Sequence, residues 1–145
     1  MGGAGLRGER GFTLIEVLVV VMVIGVLAAI ALPIFLSQQE KSKDASAKTE
    51  ARNLASVLES CRIGEDSYDD CDTESELGRE GRSYSWGTGP GQVSVVTAGM
   101  STFSIEAVSA GKTGSAHNVF TLDRDSNGGV TRTCSGIAGC RNGSW

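Results

Sequence analysis

The N-terminal part of the chain is dominated by one uninterrupted apolar run. No charged residue occurs at the 20 positions from Val17 to Leu36, whereas Glu16 stands immediately before them. As a helix, a run of this length spans about 30 Å, which is the thickness of the hydrocarbon layer of a bilayer. It is longer than the apolar region of a secretory signal, and no convincing cleavage site follows it. The pattern therefore predicts a membrane-spanning helix, and Arg7 and Arg10 before it favour a cytoplasmic N-terminus, with the rest of the chain outside.

A second helical pattern follows the apolar run and is amphipathic. Small and apolar residues recur there at steps of 4, 3, 4 and 3, which places them on one helix face: Ala47, Ala51, Leu54, Leu58 and Cys61. The charged residues between positions 41 and 52, Asp44 among them, are predicted to lie largely off this face. Together the two patterns predict one helix of about 50 residues, from Phe12 to near Gly64. Pro33 lies inside this helix and lacks a backbone N–H, so a kink is expected there.

The C-terminal half contains short β-strand patterns separated by turn signals. β-Branched and aromatic residues are concentrated in four segments, at 92–98, 101–109, 117–123 and 129–135. Turn signals fall between them, at 98–99, 111–114 and 125–129. Residues 65–91 are first acidic and then rich in glycine, which predicts a loop. The tight spacing of the strands favours an antiparallel meander packed on the helix, and hence an α+β fold.

Composition narrows the possible partners. The formal net charge is −4 and no basic stripe is present, so nucleic acid is not expected as a partner. Four cysteines form an even set, which in an exported chain predicts two disulfides with three possible pairings: Cys61, Cys71, Cys134 and Cys140. Since CxxC spacing is absent and His117 is the single histidine, a zinc site is not expected.

Two acidic stretches are weak candidates for calcium binding. Residues 65–76 contain seven acidic residues and no basic one, a pattern that is also typical of a solvated loop. Asp123, Asp125 and Asn127 imitate the first half of a calcium loop, but Cys134 stands where that loop needs its bidentate glutamate. A hairpin turn is therefore favoured, and neither a metal nor another cofactor is expected. No catalytic motif indicates an enzyme.

The junction before the apolar run carries a resemblance to a known family. The segment GFTLIE, from Gly11 to Glu16, follows a short charged leader and precedes a long apolar helix. It closely resembles the processing and methylation site of type IV prepilins, over about the first 36 residues. The resemblance implies cleavage between Gly11 and Phe12 by a prepilin peptidase, followed by N-methylation of Phe12. It also implies that Glu16 meets the Phe12 ammonium of a neighbouring subunit during assembly.

The remainder of the chain is similar to this family in architecture. The implied segments are a leader (1–11), a membrane and polymerisation helix (12–36), its amphipathic continuation (37–64), an αβ-loop (65–91), a β-meander (92–135) and a C-terminal loop and tail (134–145). The segment CSGIAGC resembles the disulfide-bounded C-terminal loop of many pilins, which implies the pairings Cys134–Cys140 and Cys61–Cys71.

The resemblance implies a structural subunit, with no cofactor, that polymerises with identical copies into a type IV pilus. Its expected partners are the prepilin peptidase, the inner-membrane assembly machinery and the membrane itself before assembly. The expected location is a single-pass membrane protein that becomes part of an extracellular filament, of the kind that serves cell adhesion, twitching motility or secretion. Alternatives are a type II secretion pseudopilin, a minor or competence pilin and, in another class, a membrane-anchored extracellular binding module.

Overall fold

The structure is a computed structural model that describes residues 11–136 and 139–145. The expected leader, apart from Gly11, and the orienting residues Arg7 and Arg10 lie outside the described residues. The chain divides into two compact units, Met1–Leu36 and Ser37–Trp145.

Among its described residues, the first unit contains the start of a long helix, α1, which runs from Leu14 to Glu65. It is long and apolar enough to cross a membrane. The large apolar side chains of α1 up to Leu36 are at least half exposed within the single chain, from Val19 at 51% to Leu14 at 83%. Pro33 lies inside α1, and helical residues continue on both sides of it. The predicted long apolar helix is thus confirmed, whereas the kink stays a prediction.

The second unit packs the C-terminal half of α1 against a sheet. The predicted apolar face is confirmed, since the buried residues of α1 are Asp44, Ala47, Ala51, Leu54 and Leu58. The expectation that Asp44 lies off this face is wrong, because its side chain is only 4% exposed. Asp44 precedes Ala47 by three positions and so falls on the same helix face.

The sheet is the predicted antiparallel meander. Its four strands are β1 (Val93–Ala98), β2 (Phe103–Thr113), β3 (Ala116–Arg124) and β4 (Val130–Ser135), in the order β1-β2-β3-β4. Each strand pairs antiparallel with the next. The α+β fold, a long N-terminal helix with a four-stranded sheet, is therefore confirmed.

Two local features differ from the sequence-based expectation. The predicted loop at 65–91 contains a one-turn helix, α2 (Gly78–Gly81). The turn expected at 111–114 begins later, because β2 continues to Thr113 through a register shift between Val108 and Lys112. The His117 side chain stabilises this irregular stretch, since its Nδ1 lies 2.9 Å from the carbonyl oxygens of both Ser109 and Gly111.

The core of the second unit is small and lies between α1 and the sheet. Its largest fully buried side chains include Leu54, Leu58, Tyr68, Ile105 and Phe120. The Tyr68 hydroxyl donates to Glu59 of α1 over 2.8 Å. Because Tyr68 belongs to the segment after α1, this bond and the buried ring fix that segment to the helix end.

Candidate functional site

Thr13 and Glu16 form a reciprocal cap at the start of α1. The backbone N–H and the hydroxyl of Thr13 both donate to Glu16 Oε2, over 2.8 and 2.7 Å. The Glu16 N–H donates back to Thr13 Oγ1 over 3.3 Å. Such a capping box satisfies backbone N–H groups that have no partner inside the helix. This cap is not among the sequence-based predictions, although Thr-x-x-Glu before an apolar run is its signature.

The cap uses only one oxygen of the Glu16 carboxylate. Both Thr13 donors reach Oε2, and among the described residues Oε1 accepts no hydrogen bond. A carboxylate has room for about four hydrogen bonds, shared between its two oxygens. Glu16 can therefore keep its cap and still accept a cationic donor from outside the chain.

The predicted cleavage junction lies just before the helix. Gly11, Phe12 and Thr13 are exposed and precede the first helical residue, Leu14. An exposed backbone outside regular structure is the kind of substrate that a protease can engage. In the uncleaved chain the Phe12 nitrogen is an amide joined to Gly11, so the ammonium expected to meet Glu16 arises only after cleavage.

The apolar surface of α1 that follows Glu16 is exposed in the single chain. Phe12 is 86% exposed and Ile24 58% exposed, with similar values along the apolar run. A continuous apolar surface of this extent is unfavourable in water and marks a lipid or protein contact. Glu16 is the acidic residue in the first turn of α1, at the start of this apolar surface.

Two disulfides lie in the second unit. Cys61 and Cys71 Sγ atoms are 1.96 Å apart, and this bond links α1 to the acidic segment 10 residues further along the chain. Cys134 and Cys140 Sγ atoms are 2.08 Å apart, with a sequence separation of 6. Two of the bracketed residues, at 137 and 138, lie outside the described residues.

The acidic segment after α1 is organised by its own hydrogen bonds. Glu76 Oε2 accepts the backbone N–H groups of Asp72 and Thr73, over 3.1 and 3.0 Å. Burial, followed by the charge of Glu76, raises the pKa of Asp72. No group of three or more potential metal ligands occurs among the described residues.

The second calcium candidate is a hairpin turn. Asp125 Oδ1 accepts the N–H groups of Asn127 and Gly129, over 2.8 and 2.7 Å. Asp123 instead lies on β3, opposite Thr131 of β4. The Asp125 carboxylate thus stabilises the turn between β3 and β4, as expected for an Asx turn.

The structure also reveals a buried polar contact that the sequence pattern did not predict. Both carboxylate oxygens of Asp44 accept from Asn118 Nδ2, over 3.1 and 2.9 Å. One helical turn later, Lys48 Nζ donates to the Gly139 carbonyl over 2.6 Å. A Cβ at Gly139 would lie 2.9 Å from Asp44 Oδ2, so the backbone approaches α1 closely here. The second half of α1 therefore holds the loop that ends in Cys140.

A family profile described as the prokaryotic N-terminal methylation motif matches residues 6–32. The type IV major pilin protein PilA of Myxococcus xanthus is 47% identical over 62 residues, which are 43% of this chain and 28% of that protein. The type II secretion system core protein G of Pseudomonas aeruginosa is 36% identical over 62 residues, 43% of this chain and 44% of that protein. The chain thus spans less than half the length of these two relatives.

One relative matches over a longer part of the chain, which includes strands of the sheet as well as α1. A fimbrial protein of Pseudomonas aeruginosa is 30% identical over 129 residues, which are 85% of this chain and 84% of that protein. No solved structure matches the chain significantly. The methylation motif, the long apolar helix before an antiparallel sheet and this extended identity agree with one another. The chain therefore belongs to the type IV pilin family.

Proposed function

We propose that this chain is the structural subunit of a type IV pilus, polymerising through the apolar half of α1. The observation that carries the proposal is Glu16, which is capped on one oxygen only and precedes an uncovered apolar surface. The helix cap uses only Oε2, so a lipid anchor with this cap would still leave Oε1 without a role. A charged residue at a membrane edge is unfavourable, by up to about 3 kcal/mol if drawn to the centre, and indicates a function.

Processing supplies the missing partner of Glu16. Cleavage between Gly11 and Phe12 releases a new N-terminal amine on Phe12, which the same peptidase then N-methylates. The methylated amine keeps its positive charge at neutral pH. The exposed backbone from Gly11 to Thr13 supports access by a membrane protease from the side of the leader.

The Phe12 ammonium of one subunit pairs with Glu16 of its neighbour. In the low dielectric between packed helices, a carboxylate without water is strongly favoured when a cation replaces the lost solvation. The open Oε1 is the natural acceptor for that cation, while Oε2 retains the Thr13 cap. The pair therefore stabilises one register between neighbouring helices, whose apolar surfaces alone would not distinguish it from other registers.

The remaining segments follow from this assignment. Residues 12–36 cross the membrane before assembly and form the filament interior afterwards, with Pro33 allowing the helix to bend. Residues 37–145 form the head, outside the membrane and then on the filament surface. The disulfides Cys61–Cys71 and Cys134–Cys140 stabilise a head whose core is small, as expected for an extracellular domain of this size.

A second candidate within the same family is a type II secretion pseudopilin. The match to a core protein G favours it, since that identity covers 43% of the chain, the same share as the match to the major pilin. Four cysteines favour a surface pilin instead, because disulfides protect a head that is exposed outside the cell.

Mass spectrometry of filaments sheared from the cell surface tests the proposal. We expect this chain to be abundant in that fraction, with an N-terminal peptide that begins at Phe12 and carries one methyl group. Material that retains Met1, or that begins beyond Leu36, would contradict the processing step. A correctly processed chain that stays in the membrane fraction would favour the pseudopilin.

A further inference from the structure

A group of lysines lies where the chain leaves the apolar run. Lys41 and Lys43 follow Leu36 by five and seven residues. Five residues of helix rise about 8 Å, which is comparable to the thickness of one headgroup layer. If residues 12–36 cross the bilayer, these lysines therefore fall at the level of the lipid phosphates.

The end of β2 brings a third lysine to the same place. The Lys112 N–H donates to Glu40 Oε2. At the preceding residue, Gly111, an added Cβ would lie 3.0 Å from the Glu40 carbonyl oxygen and 3.2 Å from Lys43 Cβ. The strand end thus packs directly on the helix turn from Glu40 to Lys43, and the Lys112 side chain is exposed beside it.

Two of the three ammonium groups form no ion pair with the described residues. Glu40 Oε1 pairs with Lys43 Nζ over 2.9 Å, and Oε2 is taken by the Lys112 backbone. The Lys43 hydrogen bond, then that backbone N–H, lowers the pKa of Glu40, so this carboxylate is charged at neutral pH. Within residues 11–136 and 139–145, neither Lys41 nor the Lys112 ammonium forms an ion pair.

We propose that the Lys41 and Lys112 ammonium groups bind headgroup phosphates of anionic phospholipids in the leaflet where α1 emerges. The inference rests on the membrane-inserted stage of the proposed function. Lysine ammonium groups bind phosphate through charge-assisted hydrogen bonds. Lipid is the occupant that the position favours, because the end of a membrane span is surrounded by headgroups whether or not another protein is present.

Electron paramagnetic resonance of spin-labelled lipids measures this directly. The full chain is placed in phosphatidylcholine vesicles that contain spin-labelled phosphatidylglycerol or, separately, spin-labelled phosphatidylcholine. The immobilised fraction of each label gives the selectivity of the protein boundary for the anionic headgroup. Attraction to an anionic membrane surface is worth about fivefold per lysine. We expect the native chain to select phosphatidylglycerol and Lys41→Gln/Lys112→Gln to lose most of that selectivity.

A matched control removes the same charge elsewhere. Arg79→Gln/Arg82→Gln alters two arginines at α2 and should leave the selectivity unchanged. An equal loss in this control, or an unchanged selectivity in the lysine variant, would overturn the site.

Two further results distinguish a lipid headgroup from free phosphate and an inserted chain from one that is not inserted. Replacing chloride by phosphate at equal ionic strength should have no effect, and a complete loss of selectivity would identify free phosphate as the ligand and overturn the lipid proposal. If neither label is immobilised, the chain is not inserted. That result would reject the membrane stage of the proposed function together with this site, whereas lost selectivity alone would reject only the site.

Discussion

At the scale of single residues, we propose two roles for Glu16, one for each carboxylate oxygen. One oxygen completes the helix cap with Thr13, and the other accepts no hydrogen bond from the described residues, which leaves it open to a partner. This arrangement explains how a carboxylate can remain in an otherwise apolar segment before assembly. The cap supplies two donors to a charge that would otherwise lose its water.

The substitution Thr13→Val should weaken the helix start. Valine keeps the branched shape but removes the hydroxyl that donates to Glu16 and accepts its N–H. Loss of such a cap costs about 1 kcal/mol, or about a fivefold change in local opening. Hydrogen exchange of the chain in detergent micelles should show faster exchange for residues 14–17. Thr13→Ser retains the hydroxyl and should exchange like the native chain, so equal rates in both variants would refute the capping role.

Asp44 is the second residue whose role depends on tertiary contacts. Asp44→Ala removes both acceptors that Asn118 Nδ2 uses in the buried contact with α1. We expect a loss of about 1–3 kcal/mol in the free energy of unfolding. Tryptophan fluorescence can follow urea unfolding of the full chain in detergent micelles, since Trp86 and Trp145 both pack against the core of the second unit.

The control for this site is Asp44→Asn. Its side chain keeps the shape of aspartate and one acceptor oxygen, so it should lose less stability than the alanine variant. Identical urea midpoints for the native chain and Asp44→Ala would show that the Asp44–Asn118 contact contributes nothing measurable.

At the scale of elements, local sequence patterns were sufficient to predict the helix and the four strands. The apolar run and the stripe from Ala47 to Leu58 predicted α1, because helical spacing is imposed by burial on one face. The strand segments were located to within a few residues, since β-branched residues and turn signals bound them. Register shifts and one-turn helices were not foreseen, as contacts distant in sequence decide them, such as Glu40 with the Lys112 backbone.

The residues of the candidate site also differ in whether the sequence alone predicts them. Gly11, Phe12 and Glu16 were identified from a contiguous motif whose chemistry is local. The capping role of Thr13 could be predicted from the same motif, because Thr13 precedes Glu16 by three positions. The buried position of Asp44 could not, because a charged residue on an apolar face is credible only once its partner Asn118, 74 positions away, is known.

The two disulfides should each stabilise the head. Each closes a short loop, which in the chain-entropy picture contributes on the order of 2–3 kcal/mol. A non-reducing peptide map should join Cys61 to Cys71 and Cys134 to Cys140. Replacing either pair by serine should lower the urea midpoint of the full chain. A peptide that links Cys61 or Cys71 to a C-terminal cysteine would contradict the pairing.

At the scale of the whole molecule, the chain combines an apolar helix that needs covering with a head that has its own core. In the proposed function, lipid covers the first unit before assembly, and neighbouring helices cover it in a filament. The apolar surface alone does not distinguish one helix register from another. The pair between Glu16 and the Phe12 ammonium is what makes the account specific to ordered polymerisation.

The most direct test is the ratio of sheared to membrane-bound subunit in cells that express only Glu16→Gln. This change leaves the neighbouring Phe12 ammonium without its counter-charge, and breaking a buried pair costs about 3–5 kcal/mol. Even about 3 kcal/mol per joint is more than a hundredfold in an association constant. Glu74→Gln removes one exposed carboxylate from the acidic segment and serves as the control. We predict that Glu16→Gln is inserted and cleaved normally but is nearly absent from the sheared fraction, while Glu74→Gln assembles like the native chain. A Glu16→Gln ratio equal to that of the native chain would contradict the account.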